Sequence, residues 1–383
     1  MGIGGASSGM KVAIVNLTGG GLSQGYINYL SEVLPRMLLH PRVDQVYGYV
    51  PSGYSSCFAG KFPPEYLGQC DNSLRGRRAL RREISRIAPD VAFFPGNRWL
   101  NLGQVPSVSM VQSMLPMVMP FGGNGLRDIA KNIERAHATK VACRRANRVI
   151  AISNYVQEFL VNTWHISPDR IGRVYHGVNP PGPPEAQKIP GQVPGEWSGE
   201  FLFTAGSMHP YRALDDVINA LAVLASQGIR PPVVIAGGAD HTQLPYLQRM
   251  QSLAAKLGVQ AQIVWTGHLE AAEMSWCYAH CRLFLMTSRV EACPNIALEA
   301  MSHGAFCLAA DNPPLPEIFQ AGAAYYRPKC GQALAQAISE ALAYSPDEAG
   351  VMRGRAQKRA GAFTWEETTD RTVHELELAI TPR

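Results

Sequence analysis

The sequence has few charged residues and no long apolar run. Only 17% of its 383 residues are charged, and 46% are hydrophobic. This composition is that of an ordinary globular protein, and the length is sufficient for two domains. No segment approaches the roughly 18 consecutive apolar residues of a membrane helix, and no charged segment followed by an apolar stretch resembles a secretion signal. We therefore expect a soluble, cytoplasmic protein with two cores.

Cysteine pairs with the spacing of a metal or redox motif are also missing. The eight cysteines form no C-x-x-C pair, and Cys277 and Cys281 have no second pair that would complete a zinc site. A disulfide scaffold would be unusual for a chain of this length. We predict reduced thiols that lie mostly in the core.

The net charge of +5 conceals an uneven distribution. Lys and Arg outnumber Asp and Glu by 21 to 11 in residues 1–190, whereas the counts are 14 and 19 in residues 191–383. The first half therefore carries a charge of +10 and the second half a charge of −5. This difference predicts that the two halves face different partners.

Short apolar runs alternate with segments of helical spacing along both halves. They are KVAIVNL, DQVYGYV, DVAFFPG, SVSMVQ and RVIAIS, then FLFTAG, PVVIAGG, IVWTGH, RLFLMTS and FCLAA. This alternation is typical of buried parallel strands that are connected by helices. Six prolines separate the halves in NPPGPPEAQKIPGQVPG, residues 179–195, and they cannot continue a helix or a central strand. The sequence predicts two doubly wound α/β domains.

The loops after the predicted strands are where ligands bind in such sheets. Gly19, Gly20 and Gly21 follow KVAIVNL and open a predicted helix. Glycines there let backbone N–H groups approach an anion at the helix N-terminus. A tight turn between strand and helix explains the same glycines, and their spacing is not that of G-x-G-x-x-G. Both interpretations stay open from these residues alone.

A second loop, GSMHPYRALDDV, follows FLFTA. Gly206 turns the chain, and Arg212 lies near the start of a predicted helix. An arginine at this position can hold a phosphate through two parallel hydrogen bonds. An exposed arginine on a helix is the alternative interpretation.

A third loop and helix, SRVEACPNIALEAMSHG, follow RLFLMTS. Pro294 suits the first turn of the helix, which Gly304 ends. The backbone N–H groups of Asn295, Ile296 and Ala297 would then be unpaired. We expect them to form a seat for a diphosphate.

Two glutamates flank this seat. Glu291 precedes it on the loop, and Glu299 follows about one turn into the helix. Each carboxylate would reach hydroxyl groups on one side of the anion. A molecule with hydroxyl groups at both ends and a diphosphate between them is a sugar nucleotide.

The segment EACPNIALEAMSHG resembles the two-glutamate signature of the retaining family 4 (group 1) glycosyltransferases. These enzymes have the α/β fold called GT-B, in which two Rossmann-like domains face each other across a cleft. The resemblance extends through RVIAISNYV, VYHGVNP and GSMHPYRALDDVINAL to FTWEETTDRT. It implies an acceptor-binding domain at 10–180, a proline-rich linker at 181–195 and a nucleotide-sugar-binding domain at 196–363. A C-terminal helix at 364–383 would pack back toward the first domain.

The resemblance also implies roles for individual residues. Glu291 would contact the donor sugar, and Glu299 would bind the ribose hydroxyls. Arg212 matches the lysine of a basic pair that holds the diphosphate, but Ser207 replaces the other cation of that pair. Gln112 replaces a histidine near the reacting sugar. The predicted catalytic residues are therefore Glu291, Arg212 and Gln112.

The predicted donor-binding set is larger. It contains Gly20, Gly21, Gly206, Ser207, Pro294, Asn295, Ile296, Ala297, Glu299 and His268, the last of which ends the run IVWTGH. His176 stands where many relatives have Asn, and a catalytic, a stacking and a structural role stay open for it.

The implied reaction is sugar transfer with retention by front-face attack, in which the leaving phosphate accepts the proton of the acceptor. No Asp-x-Asp follows a predicted strand, so we expect no metal and no cofactor. UDP is favoured over GDP because it is common among relatives, and the transferred sugar would be a hexose or an N-acetylhexosamine. The acceptor would be a glycan, a lipid-linked molecule or a small molecule. An epimerase or hydrolase, and a catalytically silent binding subunit suggested by Ser207, are the alternatives.

The acceptor half contains the basic segment RGRRALRREISRI, residues 75–87. Its six arginines surround a stripe of Leu80, Ile84 and Ile87 at helical spacing. Such a helix can contact anionic lipid, here at the inner face of the membrane. A solvated helix that covers the sheet is the alternative. Nucleic acid is not an expected partner, because no aromatic platform or binding motif accompanies the arginines.

Overall fold

The computed structural model describes residues 9–18, 21–96, 98–118 and 126–381, apart from the side chains of residues 126 and 127. These residues form two compact units. Unit 1 contains the described residues of 9–118, 126–177 and 364–381, and unit 2 contains residues 178–363. The proline-rich segment therefore belongs to unit 2, and the chain returns to unit 1 at Thr364.

Unit 1 contains a parallel sheet of seven strands within its described residues. The strands are β1 (Met10–Val15), β2 (Val43–Pro51), β3 (Leu67–Cys70), β4 (Val91–Phe94), β5 (Ser107–Val111), β6 (Arg148–Ala151) and β7 (Ile171–Arg173). The first helices are α1 (Gln24–Leu38), α2 (Leu74–Ile87), α3 (Leu115–Val118), α4 (Leu126–Arg145) and α5 (Asn154–Asn162). The strand order is β3-β2-β1-β4-β5-β6-β7, so the order reverses between β1 and β4.

The central strands of unit 1 are apolar runs that the sequence predicts. Every residue of β4 and β5 is buried, as expected for strands in the middle of a parallel sheet. The sequence does not predict β3 and β7, which are the short strands at the two edges of the sheet. An edge strand pairs on one side only and has less apolar surface to bury.

Helix α2 is the basic segment, and its apolar stripe faces the core. Ser73 caps the helix by accepting a hydrogen bond from the Gly76 N–H at 3.1 Å. Leu80 and Ile84 are buried in one cluster with Phe94 of β4. The stripe is therefore covered by the sheet, and the exposed side of α2 carries arginines.

Unit 2 contains a second parallel sheet, which has six strands. They are β8 (Leu202–Ala205), β9 (Val233–Ala236), β10 (Ile263–Gly267), β11 (Leu283–Met286), β12 (Cys307–Ala310) and β13 (Ala323–Tyr326). The helices are α6 (Leu214–Ser226), α7 (Leu244–Lys256), α8 (Ala271–His280), α9 (Asn295–Ser302), α10 (Leu315–Phe319), α11 (Gly331–Leu342) and α12 (Pro346–Ala360). The strand order β10-β9-β8-β11-β12-β13 reverses between β8 and β11. Two Rossmann-like sheets are therefore present, as predicted.

Local signals account for where these helices begin. Asp215 and Asp216 lie in the first turn of α6, where negative charge is favoured by the helix dipole. Ser345 and Glu348 form a reciprocal capping box at α12, whose first residue is a proline. The start of α9 differs from the prediction, because Pro294 is the capping residue before the helix and does not lie in its first turn.

The last helix, α13 (Trp365–Ile380), belongs to unit 1, where it packs against α1, β4, β5 and β6. Arg148 Nε and Glu375 Oε2 form an ion pair of 2.5 Å between β6 and this helix. His176 is 4% exposed, and its ring lies 5.1 Å from the ring of Tyr29 and 6.1 Å from that of Trp365, measured between centroids. These contacts place His176 in a buried aromatic cluster of unit 1.

The helices of the described residues contain no candidate for a membrane span, because none combines sufficient length with sufficient apolar character.

Candidate functional site

The candidate site lies where the strand order of unit 2 reverses. Because β8 and β11 are neighbours, the loops that follow them leave the same edge of the sheet side by side. The first loop carries Arg212 and the second carries Glu291. Ligands of open α/β sheets bind at this kind of position.

Arg212 and Glu291 form a buried ion pair. Arg212 Nη1 lies 2.6 Å from Glu291 Oε1, and the two side chains are 15% and 13% exposed. The same nitrogen donates to the Ser288 hydroxyl at 3.2 Å. The guanidinium also lies 5.0 Å from the centre of the Tyr211 ring, which is a cation–π distance. The two loops are thus joined by charge as well as by proximity.

Further hydrogen bonds hold the two loops together. The Thr287 hydroxyl donates to the Arg212 carbonyl at 2.7 Å, and the Arg289 N–H donates to the Tyr211 carbonyl at 2.7 Å. Arg289 Nη2 also pairs with Asp215 Oδ2 at 2.6 Å. These bonds between the two loops therefore fix the positions of Arg212 and Glu291.

Two glycines make room for this packing. A Cβ on Gly206, which has a φ of +129°, would lie 2.7 Å from the Arg212 guanidinium. A Cβ on Gly237, which has a φ of +155°, would lie 1.9 Å from the Gly206 carbonyl oxygen. Both positions require glycine on grounds of space and of backbone conformation. Gly206 therefore permits the observed position of Arg212.

Glu291 is a buried carboxylate, and its loss of hydration is partly compensated by neighbouring groups. Burial raises its pKa, and Arg212 and the Ser288 hydroxyl act in the opposite direction.

Glu299 lies on α9 and is partly exposed. Its Oε2 accepts a hydrogen bond from the Tyr278 hydroxyl at 3.0 Å. Burial raises the pKa of Glu299, and the Tyr278 hydroxyl opposes that shift. Burial and Glu299 in turn raise the pKa of Tyr278, while the charge of Arg212 acts against them. Tyr278 therefore lies within the electrostatic influence of both Arg212 and Glu299.

The start of α9 corrects one expectation about the diphosphate seat. The Ala297 N–H donates to the Pro294 carbonyl at 3.0 Å, so this amide is not unpaired as predicted. The reason is that Pro294 already has the capping position, and its carbonyl accepts the first bond of the helix. Asn295 and Ile296 are the first two residues of α9 and precede Ala297.

Ser207 and His268 are placed differently from each other. The Ser207 hydroxyl lies 3.5 Å from the hydroxyl of Tyr211, which precedes Arg212 in the same loop. His268 follows the edge strand β10, two strands away from β8. Its side chain is 73% exposed and lies 3.8 Å from Glu270. Of these two predicted donor-binding residues, only Ser207 is brought to the Arg212 loop by these contacts.

The geometry agrees with two family comparisons. A model described as glycosyl transferases group 1 matches residues 192–359. A model described as Glycosyltransferase Family 4 matches residues 39–180. The chain belongs to the family 4, group 1 glycosyltransferases.

The curated relatives of this glycosyltransferase include enzymes with two different names. The serotype-specific mannosyltransferase WbdA of Escherichia coli is 25% identical over 307 residues, which are 74% of this chain and 36% of that protein. A D-inositol 3-phosphate glycosyltransferase of Mycolicibacterium paratuberculosis is 26% identical over 242 residues, which are 61% of this chain and 53% of that protein. The chain thus spans about a third to a half of the length of these relatives.

Solved structures confirm the fold of the glycosyltransferase. The Anabaena protein HepE in complex with UDP has a TM-score of 0.75 at 17% identity, over 96% of this chain and 100% of that chain. A glycosyltransferase of Rickettsia africae has a TM-score of 0.73 at 15% identity, over 97% of this chain and 100% of that chain. The GT-B fold predicted from the sequence is confirmed.

The predicted residues of unit 1 can be placed in part. Gly21 has a φ of +88°, and a Cβ there would lie 2.2 Å from the Tyr54 hydroxyl oxygen. The close approach accounts for glycine at this position. Gly19 and Gly20 lie outside the described residues. Gln112 follows β5, and its Nε2 lies 3.4 Å from the sulfur of Met110.

Sequence reasoning missed several residues of the site in unit 2. Thr287 and Ser288 end the run RLFLMTS and Arg289 follows it, so these polar residues shortly before Glu291 were a usable signal. Tyr278 lies in the preceding helix and has no motif that would identify it. Within the described part of the chain, no group of three or more His, Cys, Asp and Glu side chains could hold a metal ion. Independence from metal remains a prediction for this glycosyltransferase.

Proposed function

We propose that this glycosyltransferase moves a sugar, with retention, from a nucleotide diphosphate sugar to a hydroxyl group of an acceptor. The donor nucleotide is UDP in preference to GDP, and the sugar is a hexose or an N-acetylhexosamine. The acceptor is a glycan, a glycolipid or a small molecule. The names of the relatives, a mannosyltransferase and an inositol 3-phosphate glycosyltransferase, support hydroxyl acceptors. The UDP in the HepE complex supports the choice of nucleotide.

The observation that carries the proposal is the cluster of Arg212, Glu291 and Glu299 at the strand reversal of unit 2. A cation with two carboxylates nearby suits a ligand that has a diphosphate between two groups bearing hydroxyls. In the proposed pose, Arg212 faces the diphosphate, Glu291 accepts from the sugar and Glu299 accepts from the ribose. Asn295 and Ile296 supply backbone N–H groups to the diphosphate at the start of α9.

The proposed reaction needs no carboxylate nucleophile, since both glutamates have binding roles. The bond between the anomeric carbon and the phosphate oxygen breaks, and the acceptor oxygen forms its bond to that carbon on the same face. The acceptor proton passes to an oxygen of the leaving phosphate, and nucleotide diphosphate is released. Arg212 accelerates this step because it stabilises the charge that develops on the diphosphate.

A second candidate function is supported by the same contacts. The charge of Arg212 is already paired with Glu291, and Ser207 replaces the usual second cation. Weak stabilisation of the leaving group would make the chain a binding subunit without turnover. An epimerase or hydrolase has no comparable support, because Gln112 cannot act as an acid or base.

The deciding experiment supplies a panel of UDP-sugars and GDP-sugars with and without candidate acceptors, in the presence of EDTA. Release of nucleotide diphosphate only when acceptor is present identifies a metal-independent transferase, and NMR of the product reports whether the anomeric configuration is retained. Release without acceptor indicates a hydrolase. A binding subunit shows only thermal stabilisation, about 2.7 kcal/mol at a hundred times the dissociation constant.

The proposal includes a cytoplasmic location and a peripheral contact between α2 and anionic membrane. Because Leu80 and Ile84 are buried, the contact is electrostatic and involves the exposed arginines Arg75, Arg78, Arg82 and Arg86. Each cation near an anionic surface contributes about 1 kcal/mol. Exchange of these four arginines for Gln is expected to abolish sedimentation with anionic vesicles. Equal sedimentation of parent and variant, or none with either, contradicts the contact.

A further inference from the structure

Tyr278 is a buried side chain that contacts the Glu299 carboxylate. Its hydroxyl donates to Glu299 Oε2 at 3.0 Å, and within the described part of the chain this is the only side-chain hydrogen bond that the carboxylate receives. The bond connects α8 with α9. It occupies one carboxylate oxygen and leaves Oε1 for a ligand.

The Tyr278 hydroxyl has little freedom to move. The residue is 1% exposed, and its ring contacts the rings of Phe203, Phe284 and His303 at centroid distances of 5.3 to 5.5 Å. Packing of this kind fixes the ring and therefore the position of the donor oxygen. The hydroxyl is thus a rigid anchor for the more flexible glutamate.

His303 also links α9 to α8. Its Nδ1 lies 2.9 Å from the Glu299 carbonyl, and its Nε2 lies 3.1 Å from the Ser275 hydroxyl. Since a carbonyl only accepts, Nδ1 carries the proton, and Nε2 of the neutral ring accepts from Ser275. Burial lowers the pKa of His303, which favours this neutral form. The Glu299 side chain is therefore bonded to α8 directly through Tyr278, and its carbonyl is connected to α8 through His303.

We infer that Tyr278 is a positioning residue that orients Glu299 toward the ribose diol and thereby makes the site selective for ribonucleotides over deoxyribonucleotides. The inference rests on the proposed role of Glu299. A carboxylate that is held in advance loses less conformational freedom when it accepts hydrogen bonds from a ligand. The benefit applies only to ligands that have the hydroxyls.

The test measures binding of UDP, GDP and their 2′-deoxy and 3′-deoxy forms by calorimetry. Tyr278→Phe retains the ring and removes the hydroxyl. It is expected to weaken ribonucleotide binding about tenfold, the usual effect of one hydrogen bond to a charged group. Deoxynucleotide binding is expected to stay unchanged, so that discrimination between the two falls.

Tyr326→Phe is the matched control. Tyr326 is a second tyrosine of unit 2, it is 4% exposed, and its hydroxyl has no partner among the described residues. Its substitution is expected to leave discrimination unchanged. In a Glu299→Ala background, Tyr278→Phe is expected to have no further effect on discrimination, because the group that it orients has been removed.

The possible results separate the inference from the proposed function. Unchanged discrimination in Tyr278→Phe, or equal loss for ribonucleotides and deoxynucleotides, overturns the inference and leaves the proposed function intact. If the parent binds ribonucleotides and deoxyribonucleotides equally, the inference is overturned, because Glu299 then does not bind the ribose hydroxyls. No nucleotide binding by the parent overturns both. If Tyr278→Phe does not fold, equal discrimination by the parent and by Glu299→Ala overturns the inference.

Discussion

The loop around Glu291 and the helix around Glu299 each contain a glutamate with little exposure to water, but they give its carboxylate different partners. In both places burial raises the pKa of a glutamate. Glu291 has a cation as its partner at 2.6 Å, whereas Glu299 has a neutral phenol at 3.0 Å. An opposite charge offsets much of the desolvation of a buried carboxylate, and a hydrogen bond offsets less. Glu291 therefore helps to hold its loop against the loop of Arg212. The ionised carboxylate of Glu299 is expected to lower the free energy of unfolding.

The largest expected effect comes from removal of the cation. Arg212→Ala is expected to lower the rate of nucleotide diphosphate release about 100- to 1000-fold, because Ser207 supplies no second cation for the leaving group. Donor affinity is expected to fall less, since the contact strengthens as the bond to the sugar breaks.

Arg230→Ala is the control, because Arg230 is an exposed arginine of the same unit and is expected to leave the rate unchanged. A fully active Arg212→Ala enzyme would show that other groups hold the diphosphate. Ser207→Arg is the complementary change and is expected to leave the rate equal or higher.

The second prediction tests the structural role of Glu291 directly. Glu291→Gln leaves Arg212 buried without its charge partner, and the free energy of unfolding is expected to fall by about 3 kcal/mol. Urea unfolding with the exposed Glu196→Gln as control provides the measurement. A change of less than about 0.5 kcal/mol, the range of surface substitutions, would remove the contrast between the two glutamates.

The sequence predicts the central strands well and the edges poorly. The ten apolar runs correspond to β1, β2, β4, β5, β6 and β8 to β12, whereas β3, β7 and β13 are missed. The missed strands all lie at edges of the two sheets. Central strands are buried on both faces and must be apolar, but an edge strand is under weaker selection for apolar residues.

The site is predictable as a set of residues but not as a set of contacts. Arg212 and Glu291 can each be chosen from the loops after their strands. Their ion pair joins positions 79 residues apart, and it depends on β8 and β11 being neighbours, which the chain order does not reveal. Tyr278 is a buried apolar residue by pattern, so its contact with Glu299 could not be foreseen. The prediction that the Ala297 amide is unpaired was wrong, because Pro294 is the capping residue before the helix and its carbonyl accepts from that amide.

The third prediction separates the ligand contacts of the two glutamates. Glu299→Ala is expected to weaken binding of free nucleotide diphosphate and of donor alike, by about tenfold or more, because the ribose is common to both. Glu291→Ala is expected to spare the free nucleotide and to lower turnover, because its proposed partner is the sugar. Titration of each variant with nucleotide diphosphate checks the difference, and equal losses of affinity would contradict the division of roles.

The smallest expected effect is on stability at Glu299, where we expect the substitution by Gln to act in the opposite direction to Glu291→Gln. The folded pKa of Glu299 lies above its ordinary value of 4.5, so the folded state binds more protons than the unfolded state between the two values. Stability from this group therefore falls as pH rises through that interval and stays lower above it. Gln is neutral, and its carbonyl oxygen can still accept from Tyr278. At pH 7.5 we expect Glu299→Gln to be more stable than the parent, and at pH 4 we expect the two to be similar. Urea unfolding at both pH values measures this difference, with Glu196→Gln again as control. A Glu299→Gln protein that is less stable than the parent at pH 7.5 would mean that the hydrogen bond from Tyr278 to the ionised carboxylate outweighs its desolvation.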